Sequence, residues 1–143
     1  MSGYLGSFVH QVDAKGRVAL PASFRRGSES EGFILIQVHE DALSLLPHSS
    51  WRPIEEELRE LVRKQPQSRA RILGLTASAL EVSTDKQGRI LIPDRMRELV
   101  GLGREALFVG ALNKIEIWAP DRFEEKTRAP DTKFDRFIES IFA

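Results

Sequence analysis

A ten-residue phrase occurs twice in this chain of 143 residues, and it constrains the possible fold more than any other feature. The first copy reads VDAKGRVALP over residues 12–21, and the second reads TDKQGRILIP over residues 84–93. The offset of 72 residues between the copies needs no gap and continues beyond the phrase. The identical pairs are Asp13 and Asp85, Gly16 and Gly88, Arg17 and Arg89, Pro21 and Pro93, and Arg25 and Arg97. So many matches at one offset indicate an internal duplication.

Each copy of the phrase lies in a segment that predicts the same series of elements. An alternating strand comes first, and a four-residue turn follows with aspartate at its first position and glycine at its last. Aspartate bonds back to its own backbone in such turns, and glycine tolerates a positive φ. A short strand then ends at a proline, which opens a short helix before a second hairpin. The sequence therefore predicts a ββαββ unit that occurs twice in the chain.

A unit of this size cannot bury a sizeable core by itself. Four short strands and roughly fifty residues leave too much apolar surface exposed for independent stability. Two copies in one chain solve the problem by pairing, either side by side or with interleaved strands. We therefore predict an α+β fold in which two tandem ββαββ units share one core. The predicted boundaries are 4–71 for the first unit with its helix, 76–127 for the second unit, and 128–143 for a C-terminal helical tail.

Helices are predicted after each unit and between the two units. Ser49 or Ser50 is the expected N-cap of an amphipathic helix that follows the first unit. Residues 66–79 are expected to form a connecting helix. After the second unit, Asp121 is the expected cap, and Pro130 should break the helix and leave an amphipathic tail. The apolar residues of that tail are Phe134, Phe137, Ile138 and Ile141.

Charge is segregated along the chain, although 21 basic and 21 acidic side chains cancel to a formal net charge of zero. Residues 1–26 carry a net charge of +3, residues 27–62 carry −6, and residues 63–71 carry +4. The second copy of the phrase with its flank, 85–104, carries +2. Both copies therefore lie in basic segments, and any attraction for a polyanion has to come from a patch. The acidic stretch EEELRE has two interpretations, a solvated helix face or a contact with the basic segment of another subunit.

Several classes of function are excluded or disfavoured. The chain has no cysteine, which excludes disulfides and thiolate metal sites. No apolar run approaches the roughly 18 residues that a membrane span needs, and the N-terminus lacks the pattern of a signal peptide. His10, His39 and His48 have no spacing typical of a metal site, and no residues form the pattern of a catalytic centre. We expect a cytoplasmic protein that is not an enzyme, with no cofactor, no metal, no membrane partner and no small-molecule substrate.

The spacing D-x-x-x-R, present as DAKGRVALP and DKQGRILIP, resembles the DNA-binding domain of SpoVT/AbrB-type bacterial transition-state regulators. Two such units in one chain, with LLPHSSW after the first, resemble the MraZ family of transcriptional regulators. The resemblance covers the chain from residue 4 to about residue 127 and implies a pseudo-symmetric swapped-hairpin β-barrel with flanking helices. It also implies a ring-shaped homo-oligomer at the nucleoid. Its DXXXR loops would bind double-stranded promoter DNA at repeated short boxes of the division and cell-wall gene cluster.

The resemblance also assigns roles to individual residues in both loops. The implied DNA-binding residues are Lys15, Arg17, Lys86 and Arg89. The implied loop-ordering residues are Asp13, Gly16, Asp85 and Gly88. The second loop departs from the pattern, because Gln87 stands where the first loop has Lys15 and the basic residue Lys86 comes one position earlier. The two loops are therefore not expected to be equivalent on DNA.

Two alternatives to DNA reading by the arginines stay open. In the first, each arginine forms an ion pair with the aspartate of its own copy and serves the turn rather than a ligand. In the second, the protein is a ring-forming adaptor or assembly protein that binds a protein partner. DNA is favoured because a guanidinium on a rigid hairpin can donate two parallel hydrogen bonds to a guanine edge or a phosphate. A ring with many copies would add avidity for repeated boxes.

Overall fold

The computed structural model describes residues 3–25 and 32–143. The predicted end of the first short helix, at Arg26, and the start of the acidic segment lie outside the described residues. The strands are β1 (Ser7–Gln11), β2 (Arg17–Ala19), β3 (Phe33–His39), β4 (Ala42–Pro47), β5 (Leu80–Val82), β6 (Arg89–Leu91), β7 (Glu105–Gly110) and β8 (Ile115–Trp118). Each repeat therefore contributes four strands in the predicted order.

One helix lies between the two strand pairs of the second repeat, and the others follow the last strand of each repeat or connect the repeats. They are α1 (His48–Lys64), α2 (Arg69–Ala77), α3 (Asp94–Val100), α4 (Pro120–Thr127) and α5 (Thr132–Phe142). In the first repeat, a single 3-10 turn at Ala22–Phe24 stands where the second repeat has α3. A further 3-10 turn at Pro66–Ser68 leads into α2, which occupies the predicted connecting segment. The described residues thus confirm a mixed α+β fold, and the predicted ββαββ order is complete in the second repeat, whereas a 3-10 turn replaces the helix in the first.

The two repeats exchange strands. One antiparallel sheet has the order β1-β7-β8-β4-β3-β5, and a second, two-stranded sheet pairs β2 with β6. The first strand of each repeat, β1 or β5, therefore completes the hairpin of the other repeat. Exchanging β1 with β5, β2 with β6, β3 with β7 and β4 with β8 reproduces the same order in reverse. This pseudo-two-fold arrangement is the interleaved alternative of the two that the sequence left open.

The closed barrel implied by the resemblance is not confirmed. In the described residues the hydrogen-bonded ladders form an open six-stranded sheet and a separate two-stranded ribbon, which we call the β2–β6 ribbon. The ribbon covers one face of the larger sheet through side chains that both repeats supply. Val18 and Ile90, which face each other across the ribbon, are each 1% exposed and belong to the main core. The hydrophobic core is therefore continuous between the six-stranded sheet and the ribbon, although no backbone hydrogen-bond ladder joins them.

Side chains from both repeats form the main core. Its large buried members include Leu20, Phe24, Phe33, Leu35, Leu43 and Leu45 from the first repeat and Ile90, Ile92, Met96, Phe108, Ile115 and Ile117 from the second. Strand β3 is apolar on both faces, because Phe33 and Leu35 enter this core while Ile34 and Ile36 face a second cluster. Trp51 and Leu75 from α1 and α2 pack against that second cluster. The continuous apolar run of β3 thus reflects cover on both sides of the sheet.

The structure contradicts the two predicted helix N-caps but contains the predicted break at Pro130. Helix α1 begins at His48 after Pro47 and has no side-chain cap, so Ser49 and Ser50 lie inside its first turn and the predicted cap is wrong. Asp121 likewise lies one residue inside α4, because the rigid φ of Pro120 already suits the first helical position. The predicted break at Pro130 is present between α4 and α5. There Asp131 caps α5 by accepting a hydrogen bond from the Phe134 amide.

The acidic stretch of α1 is engaged with its own helix. Arg59 lies 3.3 Å from Glu55 and 3.2 Å from Glu56, and Arg63 pairs with Glu60. These i,i+3 and i,i+4 pairs stabilise a helix by about 0.2–0.5 kcal/mol each. They favour the interpretation of this stretch as a solvated helix face. Across residues 3–25 and 32–143, no helix is both long and apolar enough to span a bilayer.

The strand exchange predicts that neither repeat folds alone. Residues 1–71 lack β7, the partner of β1, and residues 72–143 lack β3, the partner of β5. Each fragment should therefore lack a cooperative thermal transition that is independent of its concentration, whereas an equimolar mixture of the two should show a cooperative transition whose midpoint rises with concentration. Circular dichroism melts at several protein concentrations check this. A concentration-independent cooperative melt of either fragment would contradict the shared core.

Candidate nucleic-acid interface

The first DXXXR motif forms a turn that its own aspartate organises. The Gly16 amide donates to the Asp13 carbonyl oxygen at 3.0 Å, and the Asp13 amide donates to the Arg17 carbonyl oxygen at 2.9 Å. The Asp13 carboxylate accepts hydrogen bonds from the amides of Lys15 and Arg17 through Oδ1, each at 2.9 Å. Its other oxygen, Oδ2, accepts from the Arg17 guanidinium Nε at 2.8 Å. The Asp13 carboxylate therefore fixes both the backbone of the turn and the side chain of Arg17.

The second motif repeats this geometry. The Asp85 Oδ1 accepts from the amides of Gln87 and Arg89 at 2.8 Å and 2.9 Å, and Oδ2 accepts from Arg89 Nε at 3.0 Å. The Gly88 amide closes the turn on the Asp85 carbonyl oxygen at 2.9 Å. The duplicated phrase thus folds into duplicated turns. The ion pair that the sequence left open as an alternative to a ligand is present in both copies.

The turn lowers the pKa of each aspartate. Hydrogen bonds from the Arg17 amide, the Arg17 guanidinium and the Lys15 amide, together with the guanidinium charge, outweigh partial burial and lower the pKa of Asp13 from 3.8 to about 2. The pKa of Asp85 is also lowered, first by the Arg89 amide and then by the Gln87 amide and the Arg89 side chain. A folded-state pKa below the unfolded one stabilises the folded protein above about pH 4. That contribution is lost as the pH falls towards 2.

Both arginines emerge on one face of the β2–β6 ribbon. In the antiparallel register Arg17 lies opposite Leu91, Val18 lies opposite Ile90, and Ala19 lies opposite Arg89. Successive strand residues point to opposite faces, so burial of the central pair sends the flanking side chains outward. Arg17 and Arg89 are therefore diagonal neighbours on the outer face. Their side chains are 38% and 30% exposed.

The two motifs form one composite site. Arg89 Nη1 lies 4.0 Å from Asp13 Oδ2, so the aspartate of the first motif faces the arginines of both motifs. The other predicted basic residues, Lys15 and Lys86, are exposed at the tips of their turns. The structure therefore brings the predicted residues of both loops to the same ribbon. No group of three His, Cys, Asp or Glu side chains within the described part of the chain is arranged to hold a metal ion.

A second pair of arginines braces the turns from the opposite repeat. A Cβ built on Gly16, whose φ is +90°, would lie 3.0 Å from both Nε and Nη2 of Arg97 and 2.6 Å from the Ile92 carbonyl oxygen. Arg97 is held there by a hydrogen bond from its Nε to the Ile92 carbonyl oxygen at 3.0 Å and by an ion pair with Asp94. The Ile92 amide donates to the Gly16 carbonyl oxygen at 2.9 Å. The first turn therefore rests on the second repeat.

The reciprocal contact holds the second turn. The Leu20 amide donates to the Gly88 carbonyl oxygen at 2.9 Å, and a Cβ on Gly88 would collide with Nη1 of Arg25. Arg25 and Arg97 are matching positions of the repeat, but the sequence pattern does not assign them to the site. Their signal was identity at the shared offset, whereas their contact across the repeats depends on the strand exchange.

The close approach at the first turn predicts a large difference between two glycine substitutions. Gly16→Ala places a Cβ at positive φ against a backbone carbonyl, which should lower the free energy of unfolding by more than about 1 kcal/mol. Gly74→Ala is the matched control, because Gly74 lies within α2 with no atom within 4 Å of a built Cβ. That change should raise stability by about 0.5–1 kcal/mol. Urea denaturation measures both, and equal effects would contradict the braced turn.

Similarity to known proteins covers nearly the whole chain. A family model described as "MraZ protein, putative antitoxin-like" matches residues 4–72 and 75–136. Proteins named transcriptional regulator MraZ are similar throughout. The one from Pediococcus pentosaceus is 35% identical over 138 residues, which cover 96% of each chain. The one from Caldanaerobacter subterraneus subsp. tengcongensis is 34% identical over 137 residues, 96% of this chain and 95% of the relative.

A third such regulator, from Thermomicrobium roseum, is 40% identical over 120 residues, 84% of each chain. These relatives are named as regulators of transcription and not as enzymes, in agreement with the absence of a catalytic pattern from the sequence. The two matched segments of the family model also coincide with the duplication. The chain belongs to the MraZ family.

Proposed function

We propose that this protein is a sequence-specific DNA-binding transcriptional regulator that reads base edges with Arg17 and Arg89 on the outer face of the β2–β6 ribbon. The observation that carries the proposal is the placement of these two arginines as diagonal neighbours, each anchored by an aspartate of its own turn. A two-stranded antiparallel ribbon has the size to enter the major groove of B-DNA. The names of the relatives support the same class of function.

The ion pairs are compatible with DNA reading because they leave part of each guanidinium available. The aspartate in each motif accepts from Nε, and no hydrogen bond from Nη1 or Nη2 of Arg17 reaches another described residue. Those two nitrogens can donate in parallel to the O6 and N7 atoms of guanine. The fixed turn also lowers the conformational entropy that each side chain loses on binding. The ion pair with aspartate, which fixes the side chain in the turn, therefore also favours binding of the arginine to a base.

The two motifs are not equivalent in charge or support. Lys15 adds a cation to the first turn next to Arg17, and Lys86 adds one to the second turn at a different position. In the second motif, Arg89 shares the carboxylate of Asp13 with Arg17, at the longer distance of 4.0 Å. We therefore propose unequal contributions to DNA binding, with Arg17 the larger. The lysines at the turn tips would contact phosphates, which position the ribbon without reading sequence.

We further propose that subunits assemble into a ring and bind repeated short boxes in the promoter of the division and cell-wall gene cluster, at the nucleoid. A ring needs two different complementary faces on each subunit. The unpartnered apolar face of α5 supports assembly, since Phe134, Phe137 and Ile141 are each more than half exposed. Contiguous exposed apolar surface of this kind is typical of interaction sites.

A second candidate function is a ring-forming adaptor that binds a protein partner. The same exposed face of α5 is the observation that favours it. The salt dependence of binding separates the two candidates. A DNA complex that neutralises several phosphates loses affinity steeply as salt rises, with a slope of about −0.9 per phosphate on logarithmic axes, whereas an apolar protein interface does not.

Removal of either ribbon arginine should weaken DNA binding without unfolding the protein. Each bidentate base contact contributes about 1–3 kcal/mol, roughly 5- to 150-fold in affinity, and several engaged subunits multiply the loss. Arg17→Ala should therefore nearly abolish specific binding at moderate salt, and Arg89→Ala should reduce it less. The stability cost should stay within about 1 kcal/mol, as for exposed ion pairs. Mobility-shift titrations on the upstream region of the protein's own gene, with thermal melts, measure both.

Arg128→Ala is the matched control for the arginine variants. Arg128 also pairs with a carboxylate four residues away, Glu124, but it lies at the end of α4 and outside the ribbon. Asp13→Ala should lower both stability and affinity, because the turn loses its acceptor. Asp13→Asn retains an oxygen for the two amides and should recover part of the stability. Parent-like DNA binding by Arg17→Ala would make the arginine purely structural and remove the main support for the proposed function.

The proposed assembly predicts a mass well above 16.2 kDa for the purified chain. The double variant Phe137→Glu with Ile141→Glu should reduce that mass, because charges on the apolar face of α5 cannot be buried against a partner. Ser140→Glu, on the same helix, is the control and should leave the mass unchanged. Multi-angle light scattering gives each value. A monomeric parent protein at micromolar concentration would contradict both the ring and the avidity it provides.

A further inference from the structure

The outer face of the β2–β6 ribbon carries an apolar side chain next to each of its two arginines. The register gives this face four outward residues, namely Arg17 with Leu91 opposite it and Ala19 with Arg89 opposite it. Leu91 is 52% exposed, whereas its neighbour in the strand, Ile90, is 1% exposed in the core. A large apolar group thus stands in solvent beside Arg17 and two residues from Arg89, on the surface proposed to read DNA.

This position breaks the symmetry that the rest of the ribbon obeys. The offset between the repeats relates Arg17 to Arg89 and Val18 to Ile90, and it relates Ala19 to Leu91. The arginines and the buried pair are therefore similar in the two halves, whereas the third pair contrasts a methyl group with an isobutyl group. Ala19 is also partly buried, and its carbonyl oxygen lies 2.6 Å from His10 Nδ1. Only the β6 half of the face presents an apolar group that projects well beyond the backbone.

The chemistry of the major groove identifies what such a group can contact. The edges of the bases there offer hydrogen-bond donors and acceptors, and the apolar feature among them is the 5-methyl group of thymine. We infer that Leu91 is a specificity-determining residue that packs against a thymine methyl group next to the base read by Arg17. This inference rests on the proposed DNA-binding function. It goes beyond that function because it names an apolar contact and a direction for the box.

The direction follows from the single leucine. Two arginines related by a pseudo-two-fold axis offer the same donor groups in either orientation, so the larger contribution proposed for Arg17 gives a box only a weak direction. One leucine against one alanine distinguishes the two orientations, because the thymine methyl group can meet Leu91 in only one of them. The boxes bound by successive subunits should therefore be asymmetric and share one orientation, with a thymine at a fixed step from the arginine-contacted base.

Replacement of thymine by deoxyuridine tests the contact, since it removes the methyl group and leaves the base pair intact. The probe is a duplex from the upstream region protected by the parent protein, with deoxyuridine at one thymine position in every box. At the contacted position this change should weaken binding by the parent about fourfold per box, the value of one buried carbon group. Leu91→Ala should bind the thymine duplex more weakly and lose the difference between thymine and deoxyuridine.

Leu99→Ala is the matched control, because Leu99 is a similarly exposed leucine, 47%, on α3 and outside the ribbon. It should keep the full deoxyuridine penalty. The double variant Ala19→Leu with Leu91→Ala moves the apolar group to the other half and should transfer the sensitivity to another position of the box. Thermal melts ensure that only folded variants are compared, and Leu91→Ala at an exposed position should melt close to the parent.

The outcomes separate this inference from the proposed function. If no thymine position is sensitive in the parent, or if Leu91→Ala keeps the penalty while Arg17→Ala loses binding, the leucine contact is wrong and the arginine reading stands. If Leu91→Ala changes the mass of the assembly and leaves the penalty unchanged, Leu91 is a contact between subunits and the inference is overturned. If Arg17→Ala binds like the parent, base reading by Arg17 is wrong and the proposed function loses its main support, whatever the result for Leu91.

Discussion

The short antiparallel ladder between β2 and β6 is the interaction on which the candidate site depends. Its central pair, Val18 and Ile90, is buried in the core that both repeats build, and this burial turns the flanking side chains outward. The turns at either end are tied to the opposite repeat through hydrogen bonds to Gly16 and Gly88. Loss of this pairing would separate the two arginines and remove the support of both turns. The packing of the core therefore determines the geometry of the candidate site.

Local electrostatics, rather than the overall charge, gives the ribbon its chemistry. The formal net charge of the chain is zero, yet each turn gathers an arginine, a lysine and one carboxylate within a few residues. The carboxylates accept hydrogen bonds from backbone amides, which keeps them ionised well below neutral pH and able to fix the guanidinium groups. An arginine oriented in this way loses less entropy on binding than a free one. The aspartates thus contribute to recognition although they carry the same sign of charge as DNA.

Divergence between the two copies of the repeated phrase is concentrated on positions directed away from the core. The aspartate, glycine and arginine of the turns are identical, and Val18 and Leu20 correspond to the equally apolar and buried Ile90 and Ile92, because both copies pack into one core. Positions outside that core are free of this constraint, and there the first copy has Ala14, Lys15 and Ala19 where the second has Lys86, Gln87 and Leu91. A pseudo-symmetric fold can in this way have an asymmetric outer face on its β2–β6 ribbon. Duplication within one chain permits this, whereas an assembly of identical subunits would keep both halves equal.

The sequence by itself determined the duplication, the two aspartate–glycine turns, the strands that end at proline and the break at Pro130, because these features rest on local backbone chemistry. It could not choose between adjacent and interleaved strands, since both bury the same apolar residues. Only the tertiary structure decided the strand exchange, and with it the placement of Arg25 and Arg97 beneath the turns of the opposite repeats. The missed helix caps at Ser49 and Asp121 have the same origin, because neighbouring prolines and packing overrode a local preference. The exposure of Leu91 is likewise a consequence of strand register, which contacts distant in sequence determine.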